Sequence, residues 1–373
     1  MLVTEDWYFL SHRLPIACAA RDAGFDVIIA THVQDYGETI IREGFKLISI
    51  GLRRTIRNPL KELFSIIELI KLYRAERPDI VHHVAMKPVL YGTMAARIAN
   101  IPIIINALGG LGYVFISNQW HTKILRIFIS AAFKLILNCQ NSRIIIQNAD
   151  DIELLVTSGI VNRENIILIK GSGVNTDEFI PASEHNGKPV VVLISRMLWD
   201  KGVKEFVDAA KLLRKDGTKA RFVLIGKNDP DNPTSIPTST LESWNNQGFI
   251  EWWGYRDNIS SVIHNAHVVC LPSYREGLPK VLIEAAACGR PIVTSDTPGC
   301  REIVRDGENG FLVPIRDVKA LASAIRRLIE NPVLRKEMGK RGRDIAVKEF
   351  SVNKVISETL SLYNKLLFEK SHR

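Results

Sequence analysis

VVVLISRMLWDKGVKEF (residues 190–206) sets an unbroken run of β-branched and aliphatic residues against a short polar loop and then a helical pattern. An apolar run without polar alternation marks a strand buried on both faces, as in a parallel sheet. The unit repeats downstream as RFVLIG (221–226), FIEWWG (249–254), HVVCLP (267–272), PIVTSD (291–296) and GFLVP (310–314). Upstream lie FDVIIA (25–30), FKLISI (45–50), DIVHHV (79–84), IPIIIN (101–106), SRIIIQ (142–147) and NIILIK (165–170), each followed by a helical pattern. Leu2 and Val3 form the stub of an earlier strand, short enough that a few residues are expected to be missing before it. The Gly/Asn/Asp/Pro-rich stretch Gly171 to Pro189 interrupts the series and reads as a linker. Two such series predict an α/β protein of two Rossmann-like, doubly wound domains facing a cleft. The expected boundaries are 1–172, a linker over 173–189, and 190–354, with a C-terminal helix at about 355–373 placed to pack back on the first domain.

Length and composition agree with that division. A chain of 373 residues is too long for one ordinary core. With 46% hydrophobic and 24% charged residues it is an ordinary globular protein. The net charge of +9 predicts attraction to anions: phosphate ligands, lipid headgroups or nucleic acid. Cys18, Cys139, Cys270, Cys288 and Cys300 are scattered, with no metal or redox spacing, and fit a reducing, cytoplasmic setting. No signal peptide is visible. The stretch Ile98 to Thr122 lacks charge but holds Pro102 and three glycines, so it reads as a buried strand and a Gly-rich loop and not as a membrane span.

In doubly wound sheets ligands bind beyond the carboxyl ends of the strands, so the residues there are the candidates. After VVVLIS come Arg196 and Lys201, bracketing a loop before a helix. Two cations beside a helix N-terminus suit a diphosphate, whereas the plainer reading is two solvated surface cations. After HVVCLP comes SYREGLPK (273–280), then a helix over Val281 to Cys288 with Glu284 about one turn in. Carboxylates accept hydrogen bonds from sugar hydroxyls, and Gly277 lets a ligand approach the backbone. The same two acids are also common as helix-start and surface residues.

EGLPKVLIE (276–284) is similar to the E-x7-E signature of the retaining glycosyltransferases of family 4, which have the GT-B fold. The Arg196/Lys201 loop resembles that family's diphosphate loop. GVNTDEFIP (173–181), Gly226 and PGCREI (298–303) with Gly307 and Gly310 extend the resemblance over nearly the whole chain. It implies that Arg196 and Lys201 bind the donor diphosphate, that Glu284 binds the ribose, and that Glu276 binds the donor sugar. Gly277, Leu278 and Lys280 would contact phosphate and sugar, with Pro279 between them lacking an N–H. Tyr255 and Arg256, after Gly254, would lie against the nucleobase. The resemblance further implies a UDP-sugar donor, retention of anomeric configuration, and no metal or other cofactor. On the acceptor side it points to SHRLP (11–15), with His12 and Arg13, and to the loop Asn106 to Tyr113, with Gly109 and Gly110. That loop has no His where many relatives place one, and it looks closer to enzymes that extend polyprenyl-diphosphate-linked sugars.

A lipid acceptor has independent physical support. Ile80 to Ala149 contains no Asp or Glu but holds Lys87, Arg97, Lys123, Arg126, Lys134 and Arg143. The expected helices over Pro59 to Arg74 and Trp120 to Leu137 follow or carry cations, and the second mixes Trp, Phe, Ile and Leu with Lys and Arg. That pattern suits a peripheral site on an anionic cytoplasmic membrane surface. Asp229-Pro230-Asp231 spells a D-x-D motif but falls in a Pro/Asn-rich loop and reads as an exposed turn. His264 and His267 have no further ligand and read as structural. A sugar-nucleotide epimerase of the same architecture, a soluble acceptor and a non-catalytic nucleotide-sugar sensor stand as alternatives. A Rossmann dehydrogenase lacks its G-x-G-x-x-G, and nucleic-acid binding lacks its motifs.

Overall fold

The computed structural model describes residues 1–54, 58–111, 120–230 and 232–372. The chain forms two compact units: Met1–Ser172 together with the chain from Lys354 onward, and Gly173–Asn353.

Among the described residues the first unit holds seven strands: β1 (Leu2–Glu5), β2 (Ile28–His32), β3 (Lys46–Ser49), β4 (Ile80–Val84), β5 (Ile103–Leu108), β6 (Ser142–Ile146) and β7 (Ile166–Leu168). They run parallel in the order β3-β2-β1-β4-β5-β6-β7. The stub expected at Leu2–Val3 is thus a four-residue central strand, hydrogen-bonded on both sides, which explains why so short a segment is fully buried. β2 starts later than FDVIIA suggests and runs on to His32, because β1 offers partners as far as Glu5.

Helices cover both faces. On one side Asp6–His12, Leu14–Asp22 and the C-terminal helix Val352–Ser371 bury Phe9, Ile16, Leu362 and Leu366 against β1, β4 and β5. On the other, Pro59–Glu76 and Thr93–Ile98 bury Leu69, Tyr73, Ala95 and Ala96, and Trp120–Leu137 buries Phe133, Ile136 and Leu137. A chain of paired polar groups runs through this unit. Tyr73 bonds His83 Nε2 at 2.9 Å, His83 Nδ1 bonds Asn106 Oδ1 at 2.9 Å, and Asn106 donates to Ser142 Oγ at 3.2 Å. The chain crosses β4, β5 and β6, so it specifies which strands are neighbours as well as satisfying buried atoms.

The second unit has β8 (Val190–Ile194), β9 (Arg221–Ile225), β10 (Glu251–Trp252), β11 (Val268–Leu271), β12 (Ile292–Ser295) and β13 (Gly310–Val313), all parallel in the order β10-β9-β8-β11-β12-β13. This is the doubly wound 3-2-1-4-5-6 order, with its switch point between β8 and β11. The chain from Gly173 onward, expected as a linker, packs on this unit. Val174 and Phe179 are core residues, and Arg343 donates to the carbonyls of Phe179 (2.7 Å) and Thr176 (3.1 Å). The composition that suggested a spacer supplies instead the turns that let Val174 pair with Ser351.

Among the described residues no helix is long and apolar enough to cross a membrane. The five cysteines are free thiols. Within the charge-poor stretch, Ile103–Leu108 is strand β5, and Gly112 to Gln119 lie outside the described residues.

Candidate functional site

The loops after β8 and β11 sit side by side because the sheet places those strands next to each other, and three close backbone approaches knit them together. Gly202 has φ +71, and a Cβ there would lie 2.0 Å from the Pro272 carbonyl oxygen. The Tyr274 N–H donates to Asp200 O at 2.9 Å, and Ser273 Oγ donates to the same oxygen at 3.2 Å. Gly299, after β12, has φ +77, and a Cβ there would lie 2.2 Å from Gly277 O, so this third loop supports the Glu276-Gly277 turn from below. Only glycine fits either position.

These contacts bring the sequence candidates together. Lys201 Nζ lies 2.5 Å from Glu276 Oε1, with side chains 18% and 11% exposed. Arg196 donates to Asp229 Oδ2 at 2.7 Å, from a guanidinium that is 43% exposed. The helix Lys280–Ala287 starts directly after Pro279, and Lys280 Nζ reaches Glu284 Oε1 at 3.1 Å, one turn on. Glu284 is buried, and burial raises its pKa against the opposing pull of Lys280. Beneath Glu276 the Cys300 thiol is pushed up to about 12, by burial first and the Glu276 charge second. On the outer side of the loop, Tyr274 donates to Glu205 at 2.7 Å while the Arg316 guanidinium stacks over its ring at 4.5 Å.

Beyond β9 and β10, the Gly226 N–H donates to Gly254 O at 2.8 Å, and Trp252 Nε1 donates to Gly226 O at 2.9 Å. Tyr255, 55% exposed, presents its ring to Lys227 Nζ at 5.5 Å. Arg256 donates to the Tyr255 carbonyl. Tyr255 thus carries a cation over its ring and flanks the same carboxyl edge as Arg196.

In the first unit His12 stacks on Tyr8, with ring centroids 4.2 Å apart, and its Nδ1 bonds Ser11 Oγ at 2.6 Å. Arg13 differs from His12: it is 3% exposed, and its Nε is buried without a hydrogen-bond partner. Gly109 follows β5, and a Cβ there would meet the Tyr8 hydroxyl at 3.4 Å. Gly110 has φ +130. The SHRLP segment and the Gly-rich loop therefore share Tyr8, but Asn106, placed by the sequence in that loop, belongs to β5 and is buried.

One residue that the sequence places in an exposed turn instead meets a candidate site residue. Asp229, expected in an exposed turn, is a mostly buried partner of Arg196. The D-x-D spelling drew attention to it, but the contact spans 33 residues and has no local signature. Asp231 lies outside the described residues. His264 bonds the Ile180 carbonyl and His267 bonds Val190 N and the His185 carbonyl, so both are structural. No cluster of metal-ligating side chains occurs among the described residues.

The pattern of the family described as "Glycosyl transferases group 1" matches residues 175–345, and that of "Glycosyl transferase 4-like" matches residues 1–141. The chain is 30% identical to the N,N'-diacetylbacillosaminyl-diphospho-undecaprenol alpha-1,3-N-acetylgalactosaminyltransferase of Campylobacter jejuni, over 96% of this chain and 98% of that one. It is 25% identical to the UDP-Gal:alpha-D-GlcNAc-diphosphoundecaprenol alpha-1,3-galactosyltransferase of Escherichia coli, over 83% and 81%. Its fold is similar to that of a sucrose-phosphate synthase from Thermosynechococcus elongatus, with a TM-score of 0.79, 22% identity, and 95% and 92% coverage.

Proposed function

The chain belongs to the group 1, family 4 glycosyltransferases, and from that premise we propose that it moves a sugar from a UDP-sugar onto a sugar already carried by a polyprenyl diphosphate, with retention of anomeric configuration. The observation that carries this reading is the meeting of Lys201 and Glu276 at the β8/β11 switch point, a cation for a diphosphate beside a carboxylate for a sugar. The diphospho-undecaprenol acceptors of the two relatives support the acceptor class, and the UDP-galactose donor of the second supports the donor class.

In this reading Arg196 and Lys201 take the diphosphate oxygens, exchanging the carboxylates they hold without ligand. Glu284 accepts from the ribose, Glu276 accepts from the sugar hydroxyls, and the Gly277-Leu278-Pro279-Lys280 backbone lies against both. Tyr255 and Arg256 flank the base. The acceptor hydroxyl attacks C1 on the face from which the diphosphate leaves. The C1–O bond to phosphate breaks, the new C1–O bond forms, and the hydroxyl proton passes to a leaving-phosphate oxygen. Two fixed cations stabilise the charge growing on that phosphate, which is the main electrostatic work of the step. The reading therefore calls for no metal or other cofactor.

The proposed partner surface is the anionic inner leaflet, with the protein cytoplasmic and peripheral. Leu60, Leu63, Phe64 and Ile67 stand exposed on Pro59–Glu76, and Ile124, Leu125, Ile127 and Phe128 on Trp120–Leu137, while Thr93–Ile98 packs between the two helices. Outward apolar rows of this size are uncommon on a protein surface in water, and Lys61, Lys71, Lys123 and Arg126 intersperse them.

The test is incubation with bacterial membranes and a panel of labelled UDP-sugars, followed by counting label in the organic-extractable lipid. Label entering lipid from one donor supports the reading. Label only in water-soluble products, or donor conversion without acceptor, replaces it with a soluble acceptor or epimerisation.

A further inference from the structure

The first unit has its own switch point, between β1 and β4, and the loop that leaves β4 is unlike its neighbours. Ala85 adopts φ +82, a conformation a non-glycine residue reaches only under strain, and its N–H donates to Ala107 O at 3.0 Å. Lys87 follows, and Pro88–Gly92 then winds as a π-helix before Thr93–Ile98 resumes the α form. Strained residues and π-turns gather where a side chain has to be aimed.

What is aimed here is Lys87. Its ammonium donates to Glu62 Oε1 at 2.7 Å and to the Arg53 carbonyl at 3.1 Å. The pair is three-quarters or more buried, with side chains 23% and 14% exposed. Glu62 Oε2 is buried as well. Tyr91, on the π-helix, faces the same carboxylate; burial first, and the Glu62 charge second, push its hydroxyl up to about 12. The Arg54 N–H reaches Glu5 at the end of β1, so this cluster stands at the carboxyl edge of β1 and β4, the edge where a doubly wound unit takes its ligand. The sheet puts β5, with Gly109 and Gly110 at its end, directly beside β4.

We propose that Lys87, held in place by Glu62, binds the diphosphate that joins the acceptor's sugar to its lipid. This rests on the lipid-linked acceptor argued above. An ammonium already desolvated and fixed by a carboxylate loses little further freedom when a phosphate oxygen joins it. The long apolar rows on Pro59–Glu76 and Trp120–Leu137 belong to the same unit, where the lipid chain of such an acceptor would leave the bilayer. A purely structural Lys–Glu pair would hold the Arg53 loop to its helix and bind nothing.

The test titrates farnesyl diphosphate, with farnesol as the phosphate-free control, into the full chain saturated with UDP so that the donor cations are occupied. The wild-type protein binds farnesyl diphosphate and not farnesol. Lys87→Gln, which keeps donors for Glu62 and Arg53, lowers that affinity roughly ten- to a hundredfold. Lys87→Arg retains it within about threefold, because a guanidinium also pairs with phosphate. UDP affinity stays at the wild-type value in both variants, whereas the thermal midpoint falls in Lys87→Gln, which leaves the Glu62 carboxylate without its counter-ion, and holds in Lys87→Arg. Equal binding by Lys87→Gln, equal binding of farnesol, or no binding by the wild type overturns the assignment. Transfer of label to lipid by the wild-type enzyme, measured separately, shows whether the acceptor reading survives such a result.

Discussion

The ammonium of Lys201 and the carboxylate of Glu276 meet at 2.5 Å although 75 residues separate them. Each is the other's counter-ion where donor is absent. A nucleotide-sugar bound as proposed would supply both with new partners, phosphate for the lysine and hydroxyls for the glutamate. The proposed donor site would therefore be preorganised in position, with the two side chains largely desolvated by each other and the loops around them.

On the proposed reading, replacing Glu276 by alanine removes the group that accepts from the sugar while leaving the two cations in place. Transfer is expected to fall by about a thousandfold, the scale of losing an interaction made at the reacting centre. UDP affinity, read by calorimetric titration, is expected to stay within about threefold. An equal loss of UDP binding would place Glu276 on the nucleotide.

Arg196→Ala and Lys201→Ala act on the other half of the ligand. Each is expected to weaken UDP by about tenfold, since a charge-assisted contact to phosphate is lost, and to weaken uridine hardly at all. Unchanged UDP affinity in both variants removes the diphosphate assignment.

Glu284 couples stability to pH in the unusual direction. Burial raises its pKa above that of the unfolded chain, so the folded state holds the proton more tightly. Its contribution therefore opposes folding above the raised value and diminishes as pH falls through that value towards the ordinary carboxylate range. Glu284→Gln is expected to raise the thermal midpoint at neutral pH and to narrow its advantage in acid, while weakening UDP by about tenfold through the lost ribose contact. Calorimetry across pH, with and without UDP, checks both effects. A lower midpoint at neutral pH would mean that the Lys280 pair outweighs burial.

The outward rows on the two long helices make the membrane reading measurable. Phe64→Asp with Phe128→Asp is expected to abolish co-sedimentation with vesicles containing phosphatidylglycerol, because two charges replace inserted rings on exposed positions. Affinity for UDP is expected to be unaltered. If the double variant sediments as the wild type does, the face serves another contact, and a change of oligomeric state in solution identifies a second copy of the chain.

The sequence by itself determined the two parallel sheets and the loops that carry the chemistry. Runs such as VVVLIS and HVVCLP are local patterns, and a strand buried on both faces has to be apolar throughout wherever it lies. The E-x7-E segment was equally legible, because its loop and the first turn of its helix are one continuous piece of chain. Only the tertiary structure decided which of those loops meet. Lys201 reaches Glu276, and Arg196 reaches Asp229, because β8 pairs with β11 on one side and β9 on the other, an order set by crossover connections that no local window records. Burial was likewise a tertiary decision. His12 and Arg13 are adjacent in one motif, yet one stacks on Tyr8 and the other is enclosed. Leu63 and Leu69 belong to one helix, yet Leu63 faces outward and Leu69 sits in the core. A side chain's surroundings depend on what packs against its element, and in this chain those partners come from strands and helices far away in sequence.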